Sequence, residues 1–170
     1  MLDEKLVELL NDQVNKEFYS AYLYLSMANY YNEEGLSGFG NWFTIQAQEE
    51  RDHAMLFLEY LQNNGAHVEL KTVEAPKKKF KEFKDPLDES LKHERYVTAS
   101  IHNIYAAASK VKDFRTMQFL DWFVKEQGEE EKTAEDLIKK LELFGQDGKG
   151  LYMLDSELAA RTYSAPTLTL

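Results

Sequence analysis

Along four long stretches, at about positions 3–34, 37–64, 86–112 and 116–144, apolar residues recur at alternating steps of three and four, with no proline beyond the first turn. That spacing is the mark of amphipathic helices. The first seam runs through Val7, Leu10, Val14, Glu17, Ala21, Tyr24, Ala28 and Tyr31. The second runs through Phe39, Phe43, Gln46, Glu50, His53, Phe57 and Tyr60. The third is Leu87, Leu91, Glu94, Thr98, Ile101, Tyr105 and Ala108, and the fourth Leu120, Phe123, Gln127, Glu130, Ala134, Leu137 and Leu141. Four such helices predict an all-α four-helix bundle.

Connection lengths then set the topology. Gly35–Gly38 and Lys112–Arg115 are short, so the first two helices pair antiparallel and so do the last two. About twenty residues, Gly65–Asp85, separate the second helix from the third; extended, they reach ~66 Å, whereas a helix over 37–64 is ~42 Å long. The connection is therefore a strap that crosses the whole bundle, and Lys77–Lys79 reads as a solvated part of it. Asp85–Pro86 restarts the chain as an N-cap and a first-turn proline. Gly145–Gly150 stops the fourth helix. A short fifth helix is expected over 155–161, capped by Asp155 or Ser156, before an irregular tail, 162–170.

The seams are interrupted by groups that do not belong in an apolar core: Glu17, Glu50, His53, Glu94, Gln127 and Glu130. A buried ionised carboxylate without a partner costs several kcal/mol, and like charges at one level worsen the penalty. A bound cation removes it. Positions 17 and 94, 50 and 127, and 53 and 130 are each separated by 77 residues. Each hairpin thus carries one Glu on its first helix and a polar pair three residues apart, on one face, on its second. Two hairpins about a pseudo-two-fold axis bring all six groups to the bundle centre. Glu49 and Glu126 obey the same offset.

Composition narrows the chemistry. The chain has 170 residues and a formal net charge of −10, which disfavours nucleic acid and anionic membrane surfaces as partners. It has no cysteine, which excludes zinc fingers, iron–sulfur clusters and thiol nucleophiles. No leader peptide or membrane span is legible, and a cytoplasmic setting is expected.

The runs Asn15–Tyr24, Gln48–Ala54 and Glu126–Glu131, with Gly150-Leu151-Tyr152 before the last helix, resemble those of the non-haem bacterial and archaeal ferritins. The resemblance covers nearly the whole chain. It implies one ferritin-like domain over 1–170, a homo-oligomeric cage of 24 subunits, and a ferroxidase that oxidises Fe(II) and stores it as ferric mineral. It further implies that Glu17, Glu50 and His53 hold the first of two irons per subunit. Glu50 bridges to the second, which Glu94 and Glu130 complete, with Gln127 beside them as a weak ligand or a hydrogen-bonding neighbour. Glu49, Glu126, Glu129 and Glu130 resemble a third iron site on the cavity side, and Tyr24 the family's site tyrosine. Asp52 stands where the haem-binding relatives carry a methionine, so no haem is expected. Met117 and Leu120 stand where an acidic entry channel would need carboxylates, and Asp121 is the nearest substitute.

One imidazole among carboxylates suits Fe(II) or Mn(II), with O2 or H2O2 as oxidant. Trp122 has two readings, electron donor and core packing. His67, His93 and His102 have no partner at ligand spacing and are expected at the surface. The competing functions are a di-iron enzyme acting on an organic substrate or peroxide and an acidic helical scaffold without metal chemistry.

Overall fold

A computed structural model describes residues 2–76 and 79–170. Its element order is α1 (Glu4–Glu33), α2 (Ser37–Asn63), α3 (Asp85–Lys110), α4 (Phe114–Phe144) and α5 (Gly148–Leu158), with no strand among the described residues. Asp3 caps α1 through its side chain onto the Lys5 N–H, and Asp113 caps α4 onto the Thr116 N–H. Gly35, at φ +82°, supplies the left-handed turn that reverses the chain between α1 and α2. No helix is long and apolar enough to cross a membrane among these residues.

The α1–α2 and α3–α4 hairpins pack face to face, with α1 against α3. Two apolar clusters fill the interior. One joins Tyr24, Tyr31, Phe39 and Phe43 with Leu137, Leu141 and α5; the other joins Leu6, Leu10 and Phe57 with Ile101, Phe119 and Phe123. The polar seam residues lie between them.

The strap follows α1 upward as its length predicts. Asn11 bridges the His67 carbonyl and the Glu69 N–H, Asn15 donates to the carbonyls of Lys71 and Thr72, and Tyr31 donates to the Phe83 carbonyl. Residues 77 and 78 of the lysine run lie outside the described residues.

Three local expectations are corrected. First, α5 begins seven residues early, at Gly148, because Asp147 caps it by accepting from the N–H groups of Lys149 and Gly150. Asp155, expected as its cap, instead accepts from the Phe39 N–H and so caps α2, whose own Leu36 has no capping side chain. The contact is so close that a Cβ on Gly38 would lie 1.7 Å from the Asp155 carbonyl oxygen. Second, α3 starts at Asp85 itself. The Asp85 carboxylate accepts from the N–H groups of Lys81 and Glu82 in the preceding turn rather than capping the helix. Third, the α3 seam keeps the expected Leu87, Glu94, Ile101 and Ala108, but between them it runs through Ser90, Val97 and Ile104, one residue before the expected Leu91, Thr98 and Tyr105. Tyr105 reaches the edge of the bundle and donates to Asp121 there.

Candidate metal centre

α1 and α2 deliver Glu17, Glu50 and His53; α3 and α4 deliver Glu94, Gln127 and Glu130. All six are brought to one level between the two apolar clusters. Glu17, Glu50 and His53 each present a ligand atom within 4.8 Å of the others, and so do Glu50, Glu94 and Glu130. Glu50 belongs to both groups. A third group of the same reach joins His53, Glu126 and Glu130. Glu17, Glu50, His53 and Glu94 are all at most 2% exposed.

Hydrogen bonds from side-chain amides hold Glu17, Glu50 and Glu130 by one oxygen each, and Glu94 is held by both. Gln13 donates to Glu17 at 2.7 Å, and Gln46 donates to both Glu50 and Glu130 at 3.0 Å. Gln127 donates to Glu94 at 3.0 Å, and Tyr24 donates to the other Glu94 oxygen. Gln127 is thus a donor that orients Glu94. The His53 Nδ1 lies 3.6 Å from Glu50. Two oxygens are left over: Glu17 Oε2 and Glu130 Oε2 are buried and accept no hydrogen bond. Buried acceptors of this kind need a partner, and a hard cation supplies one.

The electrostatics agree. Burial pushes the Glu17 carboxyl up to about 8, with the neighbouring Glu50 charge adding to it. Burial and Glu50 likewise raise Glu94 to about 7, and burial with Glu50 and Glu94 holds Glu130 well above the ordinary range. Burial pulls the His53 imidazole down, but the Glu50 hydrogen bond and the nearby carboxylates outweigh it and leave it at about 9. Glu50 alone is lowered, because its contacts with His53 and Gln46 overcome its burial. Without a cation, then, the cluster holds protons in the place of positive charge.

The four acids of the expected cavity-side site divide. Glu49, Glu126, Glu129 and Glu130 all line one cavity of about 180 Å3, which also touches Tyr24 and Glu94. Glu126 reaches His53, whereas Glu129 is exposed and pairs with Lys125. Glu49 is held by Arg161 at 2.5 Å. Trp122 places its ring edge-on to His53 and donates its N–H to Thr167. Leu120 is fully buried in the core, so it lines no channel.

Sequence reasoning missed Gln13, Gln46 and Arg161 as parts of this site. The two glutamines had a readable signal, since each lies four residues before a seam glutamate and so one turn below it on the same face. Arg161 had none, because it enters from the tail. His93 was expected at the surface and is instead buried, with Nε2 2.7 Å from the Ser20 hydroxyl and its ring beside Tyr19 and Tyr24. The reason is that α3 buries the flank of its seam that carries Ser90 and Val97, and position 93 shares that face. His67 and His102 are exposed as expected.

A family model described as a ferritin-like domain matches residues 7–144. The chain belongs to the ferritin family. Similar relatives within it include a bacterial non-heme ferritin of Staphylococcus aureus, 41% identical over 96% of this chain and 98% of the relative. One from Staphylococcus haemolyticus is 40% identical over the same shares. Among solved structures, an engineered closed form of the Archaeoglobus fulgidus ferritin matches at a TM-score of 0.94 and 44% identity, over 96% of this chain and 100% of that one. The open-pore ferritin of the same archaeon matches at 0.93, over 95% of this chain. The family model ends at the last residue of α4, so α5 and the tail carrying Arg161 lie beyond it.

Proposed function

We propose that this chain is the subunit of an iron-storing ferritin cage of 24 copies, a ferroxidase that oxidises Fe(II) at a dinuclear site within each subunit and deposits it as ferric mineral inside. The observation that carries this reading is the pair of ligand groups sharing Glu50, each with a buried carboxylate oxygen that has no protein partner. Glu17, Glu50 and His53 take the first Fe(II), and Glu50, Glu94 and Glu130 the second. A shared carboxylate sets two metal ions ~3.5–4 Å apart, close enough to act on one oxidant. Each Fe(II) gives up one electron, and O2 accepts two electrons and two protons at the peroxide level; H2O2 accepts the same two electrons and yields water.

The protein's own part is to bind, orient and trade protons. Fe(II) displaces the protons held by Glu17, Glu94 and His53, because each ligates only when deprotonated. Gln13, Gln46, Gln127 and Tyr24 hold the carboxylates in register. Carboxylates with one imidazole favour the hard ferric product, while few strong nitrogen donors let it leave. Glu126, with Glu49, Glu129 and Glu130, forms a weaker third position along the cavity of about 180 Å3. Five glutamates line that cavity against one arginine, which suits a departing cation better than an organic substrate. The relatives' description as non-heme ferritins supports the same chemistry, without haem. The whole chain, 1–170, acts as one domain, and its setting is cytoplasmic.

Anaerobic calorimetry with Fe(II), followed by size exclusion after loading in air, tests the reading. Two tight Fe(II) per subunit are expected, in a particle just under half a megadalton, as 24 copies of a 19.8 kDa chain require. A monomer or dimer that binds two irons but keeps none as mineral would instead mark a di-iron enzyme. Absence of both tight sites would leave a metal-free scaffold.

A further inference from the structure

The cavity beside the dinuclear site is lined by Glu49, Glu94, Glu126, Glu129 and Glu130, and Arg161 is the one cationic side chain among its lining residues. Glu130, whose buried Oε2 has no hydrogen-bond partner, is one of these lining residues. The guanidinium is held by four contacts. One Nη donates to Glu49 at 2.5 Å and to the Gln46 side-chain oxygen at 3.0 Å. The other donates to the Trp42 carbonyl at 3.1 Å, and the group lies 4.3 Å from the Trp42 ring centroid. Its backbone is fixed as well, since Asn41 donates to the Arg161 carbonyl at 3.1 Å.

We propose that Arg161 is a built-in competitor for the third metal position: its guanidinium occupies Glu49 until a hard divalent cation displaces it, and it thereby sets how weakly that position binds. This deepens the ferroxidase reading and rests on it. The geometry gives three reasons. A metal ion on Glu49 would sit beside the guanidinium that the same carboxylate already holds at 2.5 Å, so the two cations compete for it. The Arg161–Glu49 pair is partly wet, with side chains 23% and 21% exposed, so the guanidinium regains water when it leaves and the exchange is not prohibitive. The Trp42 face stays available to it on departure, since cation–π contact needs no hydrogen bond.

The same arginine reaches the dinuclear pair through one residue. Gln46 accepts from Arg161 with its oxygen and donates with its nitrogen to Glu50 and Glu130. Arg161 therefore fixes which way that amide points. When a third cation takes Glu49, Gln46 is freed to turn, and the bridging carboxylate and Glu130 lose a donor. Filling the third position loosens the pair, which is the sense needed to move a product onward.

The test is calorimetric titration of the assembled apo-protein with Zn(II), which binds without oxidation. Wild type should show two tight steps per subunit and a third, weak one. Arg161→Gln should keep both tight steps, each somewhat weaker because Gln46 is freed to turn, and tighten the third by about tenfold, the order expected for removing one charge-assisted pair. Arg161→Lys, which keeps the charge, should stay near wild type. Adding Glu49→Gln to Arg161→Gln should abolish the gain. A second readout needs no change at Arg161. In a Trp122→Phe background, Trp42 fluorescence should respond to the third equivalent of Zn(II) and not to the first two. An unchanged or weaker third step in Arg161→Gln, an equal gain in Arg161→Lys, or a silent Trp42 would overturn the proposal. If the first two steps are missing in wild type, the dinuclear reading fails and this one falls with it. If they persist while the third ignores Arg161, only this one falls.

Discussion

The two halves of the candidate centre have the same origin in the pattern and different chemistry. The α1–α2 half holds Glu17, Glu50 and His53, and the α3–α4 half holds Glu94, Gln127 and Glu130, each residue 77 positions after its counterpart. His53 supplies a positive charge beside Glu50 and lowers it. Its counterpart Glu130 supplies another negative charge, so burial and repulsion leave Glu94 and Glu130 raised. Neutral donors offset this, Gln127 from the α3–α4 half itself and Tyr24 from α1, both on Glu94. One half is therefore an ion pair before any metal arrives, whereas the other stores protons. The comparison teaches that a near-symmetric backbone yields two unequal metal positions through two exchanges, His53 for Glu130 and Glu50 for Gln127.

The largest expected effect comes from the residue the halves share. Glu50→Ala should abolish tight Fe(II) binding at both positions, while Glu17→Ala removes only the first, as counted by anaerobic calorimetry. Equal losses from the two variants would break the bridging assignment.

Next comes pH. Glu17, Glu94 and His53 all have folded values raised above their unfolded ones, to about 8, about 7 and about 9. A raised value means stability that is full below the unfolded value and lost as pH climbs through the folded one. The three act in the same direction, so the melting temperature of the apo-protein should fall steadily between about pH 5 and pH 9. Saturating Mn(II) should flatten or reverse that slope, since the metal takes the place of the protons and its affinity rises as they leave. Differential scanning calorimetry at fixed ionic strength checks both arms, and an apo-protein that gains stability over this range would contradict the proton-storing half.

A smaller effect is expected for Tyr24→Phe. The tyrosine hydroxyl helps to lower Glu94, so its loss should raise that carboxyl further. Zn(II) at the second position should weaken by roughly three- to tenfold near neutral pH, the worth of one buried hydrogen bond to a charged group, and recover at higher pH. The first position should not change. The smallest effect concerns Trp122, which touches the His53 ring and donates its N–H to Thr167. If it is packing material, Trp122→Phe should alter the Fe(II) oxidised per O2 by less than the error of an oxygen electrode. A clear change would sharpen the comparison by giving the His53 half an electron donor.

The sequence by itself determined the four long helices, their pairing, the crossing strap and the level at which the odd polar residues meet. These follow from periodicity, loop length and a repeated spacing, all of which are local or additive along the chain. It also pointed at Glu17, Glu50, His53, Glu94 and Glu130, because a charge in an apolar seam is visible without coordinates. Only the tertiary structure decided what depends on contacts between distant segments. Asp155 caps α2 from another helix, a relation no window of sequence contains. The α3 seam keeps Leu87, Glu94, Ile101 and Ala108 but takes Ser90, Val97 and Ile104 in place of Leu91, Thr98 and Tyr105, because packing against α1 and α4 fixes which flank of the stripe is covered, and His93 lies on that flank. Arg161 reaches Glu49 from 112 residues away because α5 folds back over the end of α2 and aims the tail along it. Amphipathic periodicity fixes which face of a helix is buried to within one residue of turn, whereas the partner of a charged side chain is set by where the rest of the chain arrives.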